Sequence, residues 1–327
     1  MSPPISSRCA RAAAVVGAAA ALAACDGPQA ALDPAGPDAE AISTIAWVMF
    51  GGAAIVFIVV LVAVAWALRA RRAREGRGLI IAGGVVFPLV VLTALLVFGL
   101  TVSSRINAEP DDALTIRVTG KQWWWQVDYL DAGEPVLTTA NDIVVPVGAP
   151  VRFVLTTDDV IHSFWVPSLG GKLDMIPGRI NETVLQADVA GAYRGQCAEF
   201  CGDQHALMAF TVAATDDFAA WLAAQQRPAA EPVTDLEARG AALFLENGCG
   251  ACHTIRGTDA DGTIGPDLTH VGGRPTIAAG TLPNNQGTLA GWIADAQAIK
   301  PGARMPSFDR LAGPELRALA AYLASLE

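Results

Sequence analysis

Histidine is scarce in this chain, with four residues in 327, at positions 162, 205, 253 and 270. So few imidazoles exclude a catalytic metal centre built on several histidines beside any other histidine-bound site. Cysteine is nearly as rare. The six residues are 9, 25, 197, 201, 249 and 252, and the last four form two close pairs. Pairs so close in sequence point to local chemistry, and no structural disulfide is expected. Charge is missing altogether from two long runs, Ile42 to Leu68 and Leu79 to Ser104. At 52% apolar residues, the chain is too oily for a purely soluble protein. One basic cluster, five Arg against one Glu between Arg69 and Arg77, sits between the two runs. It is too short to serve nucleic acid, and none is expected as a partner.

What is present begins with an export signal over 1–24, with Arg8 and Arg11 ahead of an Ala/Val-rich core. The signal ends Leu22-Ala-Ala-Cys25, which resembles a bacterial lipobox, so Cys25 is the expected lipidation site. An ordinary signal peptide with an incidental cysteine is the plainer alternative. Residues 25–41, rich in Pro, Ala and Asp, read as a flexible linker to a transmembrane helical hairpin over 42–105. As a helix, the first run of 27 residues spans about 40 Å, enough for a hydrocarbon core of about 30 Å. Pro88 is expected to kink the second. The positive-inside rule puts the Arg cluster in the cytoplasm and both ends of the hairpin on the outer face.

From 106 to 226 the texture turns to short β-branched segments separated by Gly and Pro. Strands are expected at 114–119, 122–129, 142–147, 151–157, 179–187, 193–196 and 207–213, as in a sandwich or barrel. Within this region lies Cys197-Ala-Glu-Phe-Cys201-Gly-Asp-Gln-His205-Ala-Leu-Met208. Thiolate and thioether are soft ligands and imidazole is borderline, a set that suits copper. Two thiolates can bridge two ions, each completed by one His and one weaker ligand, and His162 is the candidate for the second imidazole. A Cys197–Cys201 disulfide or a zinc site remain the alternatives. The disulfide leaves His205, Met208 and His162 unexplained, and zinc has little use for a thioether.

A Pro/Ala linker over 227–234 leads to a last segment, 235–327, whose first helix delivers Cys249-Gly-Ala-Cys252-His253. This is a c-type haem attachment motif. Both thiols would bond the haem vinyl groups and His253 would bind the iron. The second axial ligand should lie downstream, and Gly302-Ala-Arg-Met-Pro306 resembles the methionine loop of small monohaem cytochromes c, a resemblance that implies Met305, with His270 as its competitor. The chain closes on an amphipathic helix over 314–326.

The runs His162-Ser-Phe-Trp-Val-Pro-Ser-Leu-Gly170, Lys172-Leu-Asp-Met-Ile-Pro-Gly-Arg179 and Gly195-Gln-Cys-Ala-Glu-Phe-Cys-Gly202 closely resemble subunit II of haem–copper cytochrome c oxidases. That resemblance covers about residues 42 to 215. The segment 235–327 is similar to small monohaem cytochromes c. Together they imply a hairpin, an all-β cupredoxin-like domain and an all-α class I cytochrome c domain. They imply a dinuclear CuA centre bridged by Cys197 and Cys201, with His162 and His205 as terminal ligands. Met208 would bind one copper and the backbone carbonyl of Glu199 the other, the Glu199 side chain reaching a magnesium ion against subunit I. Trp123, in Trp123-Trp-Trp125, is implied as the exposed aromatic through which electrons come in. Lys172, Asp174 and Arg179 match positions facing subunit I, and Phe244 and Tyr322 match contacts between crossing terminal helices. The second charge-free run lacks the acidic residue that many relatives use near a proton pathway, so no proton-uptake role is carried over.

The expected function is relay within a proton-translocating terminal oxidase of a bacterial inner membrane. Electrons would go from cytochrome c or another donor to the haem c, to CuA, then to haem in subunit I, where O2 becomes water. Partners would be subunit I, subunit III and membrane lipid. A flexible tether would hold the haem domain at an effective concentration on the order of millimolar. The rival reading is a stand-alone membrane-anchored carrier serving another reductase.

Overall fold

The computed structural model describes residues 27, 29–69, 76–104, 106 and 113–327. The expected signal peptide, Cys25 and most of the Arg cluster lie outside the described residues. Helix α1, Pro37–Arg69, carries Asp38 and Glu40 in its first turn and Arg69 in its last. Acid at the N-terminus and base at the C-terminus both favour the helix dipole. The second span is a short helix α2, Arg77–Ile81, a π-helical turn, Ala82–Val86, and helix α3, Phe87–Ser103. Pro88 stands in the first turn of α3. It has no N–H to bond back along the helix, and the wide π turn falls just ahead of it instead of a break. Both spans are long and apolar enough to cross a membrane, with hydropathy of 2.9 and 2.7.

The first helix begins earlier than the charge-free run suggests, and Ala35 just ahead of it is tied to the β domain. Ala35 N–H donates to Ser168 O at 2.7 Å, and Asp188 N–H donates to Ala35 O at 2.8 Å. Ala39 and Ser43 are buried. A Pro/Ala segment has backbone groups to satisfy like any other, and here the β domain supplies the partners.

Ten strands follow: β1 Leu114–Lys121, β2 Trp124–Asp131, β3 Glu134–Ala140, β4 Asp142–Pro146, β5 Val151–Thr157, β6 His162–Trp165, β7 Leu173–Met175, β8 Asn181–Leu185, β9 Gly191–Cys197 and β10 Ala209–Thr215. They form two five-stranded sheets, ordered β3-β2-β1-β5-β8 and β4-β10-β9-β6-β7. Between the sheets lie Trp125, Tyr129, Phe153, Phe164 and Phe210. Phe164 stacks on Phe210 at 4.6 Å, and Trp125 meets Phe210 edge-on at 5.0 Å. Burying each ring contributes roughly 1.5–3 kcal/mol, and such ring pairs add to it. Sequence pattern misses β3, β6 and β7. Pro135 breaks the first, and the other two are short, with polar His162 and Ser163 buried where alternation expects apolar residues.

Helix α4, Phe218–Gln225, lays Trp221 on Tyr129 at 5.3 Å. In the last domain, helix α5, Asp235–Glu246, is capped by Thr234, whose hydroxyl accepts from Glu237 N–H while the Glu237 side chain returns to the Thr234 N–H. Helix α6, Gln286–Ala294, and helix α7, Ala296–Ile299, follow. The closing helix α8, Gly313–Ser325, crosses α5, with the Phe244 and Tyr322 rings 6.2 Å apart. Sequence pattern misses α6 because its two glycines and nearly unbroken apolar face leave no amphipathic period.

Candidate metal and cofactor sites

Strand pairing assembles the thiol–imidazole cluster. Phe164 of β6 pairs with Cys197 of β9, and His162, two residues from Phe164, shares its face of the sheet. Met208 comes in from the other side, since its carbonyl accepts from Cys197 N–H at 3.0 Å. The two sulfurs are 3.7 Å apart. Cys197 Sγ faces His162 Nδ1 at 3.9 Å and Glu199 O at 3.1 Å. Cys201 Sγ faces His205 Nδ1 at 3.7 Å and Met208 Sδ at 3.8 Å. All six sequence-predicted groups are thus brought together, each sulfur with one imidazole and one weaker donor.

The electrostatics suit a cation pair. A hydrogen bond from the Cys201 thiol holds the Cys197 sulfur far below the usual thiol range, burial opposing it. Cys201 is driven up by that same bond and by burial. Two buried thiolates side by side therefore require a positive charge between them, which bound metal provides. The donor chemistry fits copper. Sequence reading missed Asp159, which fixes the ring of His162. His162 Nε2 donates to Asp159 Oδ1 at 2.8 Å, leaving Nδ1 free for metal. Burial would raise Asp159, but His162 and the N–H groups of Gln122 and Val160 hold it below the ordinary carboxylate range. The only cue in the sequence was an acid three residues ahead of a histidine.

The second site is a cavity of about 460 Å³ lined by Cys249, Cys252, His253 and Met305, with Phe244, Leu319 and Ile293 among its apolar walls. His253 Nδ1 donates to Pro266 O at 2.8 Å, which leaves Nε2 for an axial bond. Burial holds this imidazole below its ordinary range, so it is neutral and ready to ligate. A Cβ at Gly265 would come within 2.6 Å of the ring, so only glycine fits beside it. The residues therefore fit a covalently held haem. Gln297 organises the methionine loop, its Nε2 donating to Ala303 O and Met305 O at 2.7 Å each. His270 is elsewhere, with Nδ1 2.9 Å from Glu327 O and Nε2 3.1 Å from Arg227 O. It does not line the cavity.

Trp123 corrects an expectation. It is not an exposed aromatic, being 8% exposed, and it precedes β2 instead of belonging to it. Its Nε1 donates to Cys201 O at 3.1 Å, and its ring also lines the cavity of the last domain. That domain covers the indole, an effect local sequence cannot reveal. Its neighbour Trp124 is less buried and takes Lys121 over its ring at 5.5 Å.

On the outer surface, Lys172 Nζ lies 3.2 Å from Asp174 and 3.5 Å from Glu199, all three side chains well exposed. The Glu199 side chain thus points away from the sulfurs while its carbonyl faces Cys197. Phe200 and Ile180 are 74% and 70% exposed.

Two family models match the chain. One, described as cytochrome C oxidase subunit II, periplasmic domain, matches residues 130–215, and one described as cytochrome c matches residues 237–327. The cytochrome c oxidase subunit 2 of Alkalihalophilus pseudofirmus is 41% identical over 244 residues, covering 73% of this chain and 70% of that protein. The protein of the same description from Bacillus sp. strain PS3 is 35% identical over 253 residues, with the same coverage. Among solved structures, the periplasmic domain of cytochrome oxidase subunit II from Bradyrhizobium japonicum is 38% identical. It covers 36% of this chain and 96% of its own, with a TM-score of 0.34.

Proposed function

The chain belongs to the cytochrome c oxidase subunit 2 family, and from that premise we propose that it takes electrons on its own haem c and relays them through a dinuclear copper centre. When bound, the haem and the copper pair supply one-electron redox chemistry, and oxygen is reduced to water in subunit I. The observation that carries this reading is the convergence of four further donors on two sulfurs 3.7 Å apart, with Trp123 joining that loop to the haem cavity.

The residues divide the work. Cys197, Cys201, His162, His205, Met208 and the Glu199 carbonyl would hold the metal pair, the two sulfurs shared and one imidazole and one weaker donor available for each ion. Asp159 orients His162 and excludes the wrong tautomer. Cys249 and Cys252 would hold the haem and His253 and Met305 would ligate its iron, a pairing that raises the potential. No donor is left over for a substrate in either set, which suits relay more than catalysis within this chain. Lys172, Asp174, Arg179 and the Glu199 side chain face subunit I, with magnesium at Glu199 as the associated ion. The two apolar helices anchor the subunit, the Arg cluster on the cytoplasmic side and both large domains on the periplasmic side. A lipid on Cys25 assists that anchor.

Metal and haem analysis of the purified complex tests the assignment, with two coppers and one covalent haem expected for each chain. One copper or none, with Cys197 and Cys201 oxidised to each other, overturns it. A large multi-span partner carrying further haems is expected to co-purify. Its absence would favour the stand-alone carrier.

A further inference from the structure

Lys300 follows α7 and stands five residues before Met305, yet only 3% of it is exposed. Its ammonium donates to three backbone carbonyls: Trp123 O at 2.7 Å, Leu207 O at 2.8 Å and Ala278 O at 3.2 Å. The first two belong to the copper domain and the third to Lys300's own domain. An ammonium has three protons and no acceptor, so the three oxygens match it one to one. Trp123 is the indole that bonds Cys201 O. Leu207 immediately precedes Met208. One buried side chain of the haem domain thus holds the two copper-side segments nearest the methionine loop.

We infer that Lys300 is a positioning residue that locks the haem domain onto the copper domain as one rigid body. This inference rests on the relay proposed above. A lone buried ammonium is strongly disfavoured unless its protons are all bonded, and this set of acceptors exists only while the two domains are in register. The lock therefore selects one orientation, where a greasy contact would tolerate several. Neighbouring bonds agree on the register. Ala209 N–H donates to Ala279 O at 3.0 Å, and Gln204 Nε2 donates to Pro301 O at 2.8 Å. A Cβ at Gly302 would lie 3.3 Å from the Trp123 ring, and φ there is +82°, so the loop runs directly against the indole. The stretch 227–234 is also bound down, with Ala229 N–H donating to Arg256 O at 2.9 Å. A swinging tether is not what these contacts describe.

The test is Lys300→Met in the full membrane complex, which keeps the length of the side chain and removes all three donors. After photoreduction of the haem, the first-order rate of copper reduction is expected to fall at least tenfold and to become dependent on solvent viscosity. The haem methionine band and the copper spectrum should stay in place, because no ligand is touched. An unchanged, viscosity-independent rate overturns the lock. A complex lacking copper or haem already in the wild type overturns the relay instead, so the two failures are distinguishable. Should the variant not assemble, hydrogen exchange on the wild-type complex decides. The Ala209 amide is expected to exchange as slowly as the β-sandwich core, and exchange at the rate of exposed loops overturns the lock.

Discussion

Asp159 and His270 show how a residue's partners determine its role. Asp159 holds His162 Nε2 at 2.8 Å and also accepts Gln122 N–H at 2.7 Å, so one carboxylate orients a proposed copper ligand and the turn leading into Trp123. Removing such a partner typically costs 10–100-fold in metal affinity. Asp159→Ala is therefore expected to lose copper to a competing chelator in that range, with haem content unchanged, and unaltered retention would remove the role. His270 and Met305 invert the usual suspicion about spare histidines. Met305→Ala is expected to lose the absorption signature of His/Met ligation. His270→Ala should keep that signature and instead destabilise the domain by about 1–3 kcal/mol, since the buried ring's contacts to the Glu327 and Arg227 oxygens are lost. Thermal melts and haem spectra on the same samples read both. The proposed ligands were legible because their chemistry lies in residue type and close spacing. Asp159, Gln297 and Lys300 were not. Lys300 and Gln297 bond to backbone carbonyls, which carry no residue identity in a sequence.

At the scale of elements, the membrane helices and most of the longer strands were legible; β3, which carries Pro135, and the short strands β6 and β7 were not. Burial of His162 and Ser163 in β6 inverts the alternation that marks a strand. The same conflict between local pattern and tertiary demand recurs at the start of β4. Asp142 Oδ2 is buried with no hydrogen-bond partner. Burial pushes this carboxyl up to about 6, against the opposing pull of buried Arg274 across the seam. Its pKa is higher folded than unfolded, so the native state binds more protons between roughly pH 4 and pH 6. Stability therefore falls across that window as pH rises and is flat above it. A shift of about two units corresponds to about 3 kcal/mol. Asp142→Asn has no carboxyl to ionise, so its stability relative to the parent should grow by about that amount between pH 4 and pH 8. Calorimetry or denaturant melts at the two pH values measure it. A gap that shrinks with pH sinks the assignment of the cost to this carboxyl.

For the whole molecule, the order of steps in the proposed relay follows from what covers what. An exposed Trp123 would let an outside donor reach the copper side directly. The indole is instead enclosed by the haem domain, with Lys300 and Gly302 across the seam, so an outside donor meets the haem cavity first. The chain carries a net charge of −10, and an acidic surface speeds encounter with a basic donor in a salt-dependent way. The seam is buried and screened little by salt. Mixing the complex with a reduced basic donor should therefore give two phases. The first, seen at the haem bands, should be proportional to donor concentration and slow severalfold between about 10 and 150 mM salt, as the Debye length shrinks. The second, seen at the copper band, should be independent of donor concentration and nearly indifferent to salt. Copper reduction that instead rises with donor concentration and shares the salt dependence of the first phase would mean that electrons bypass the haem by another face.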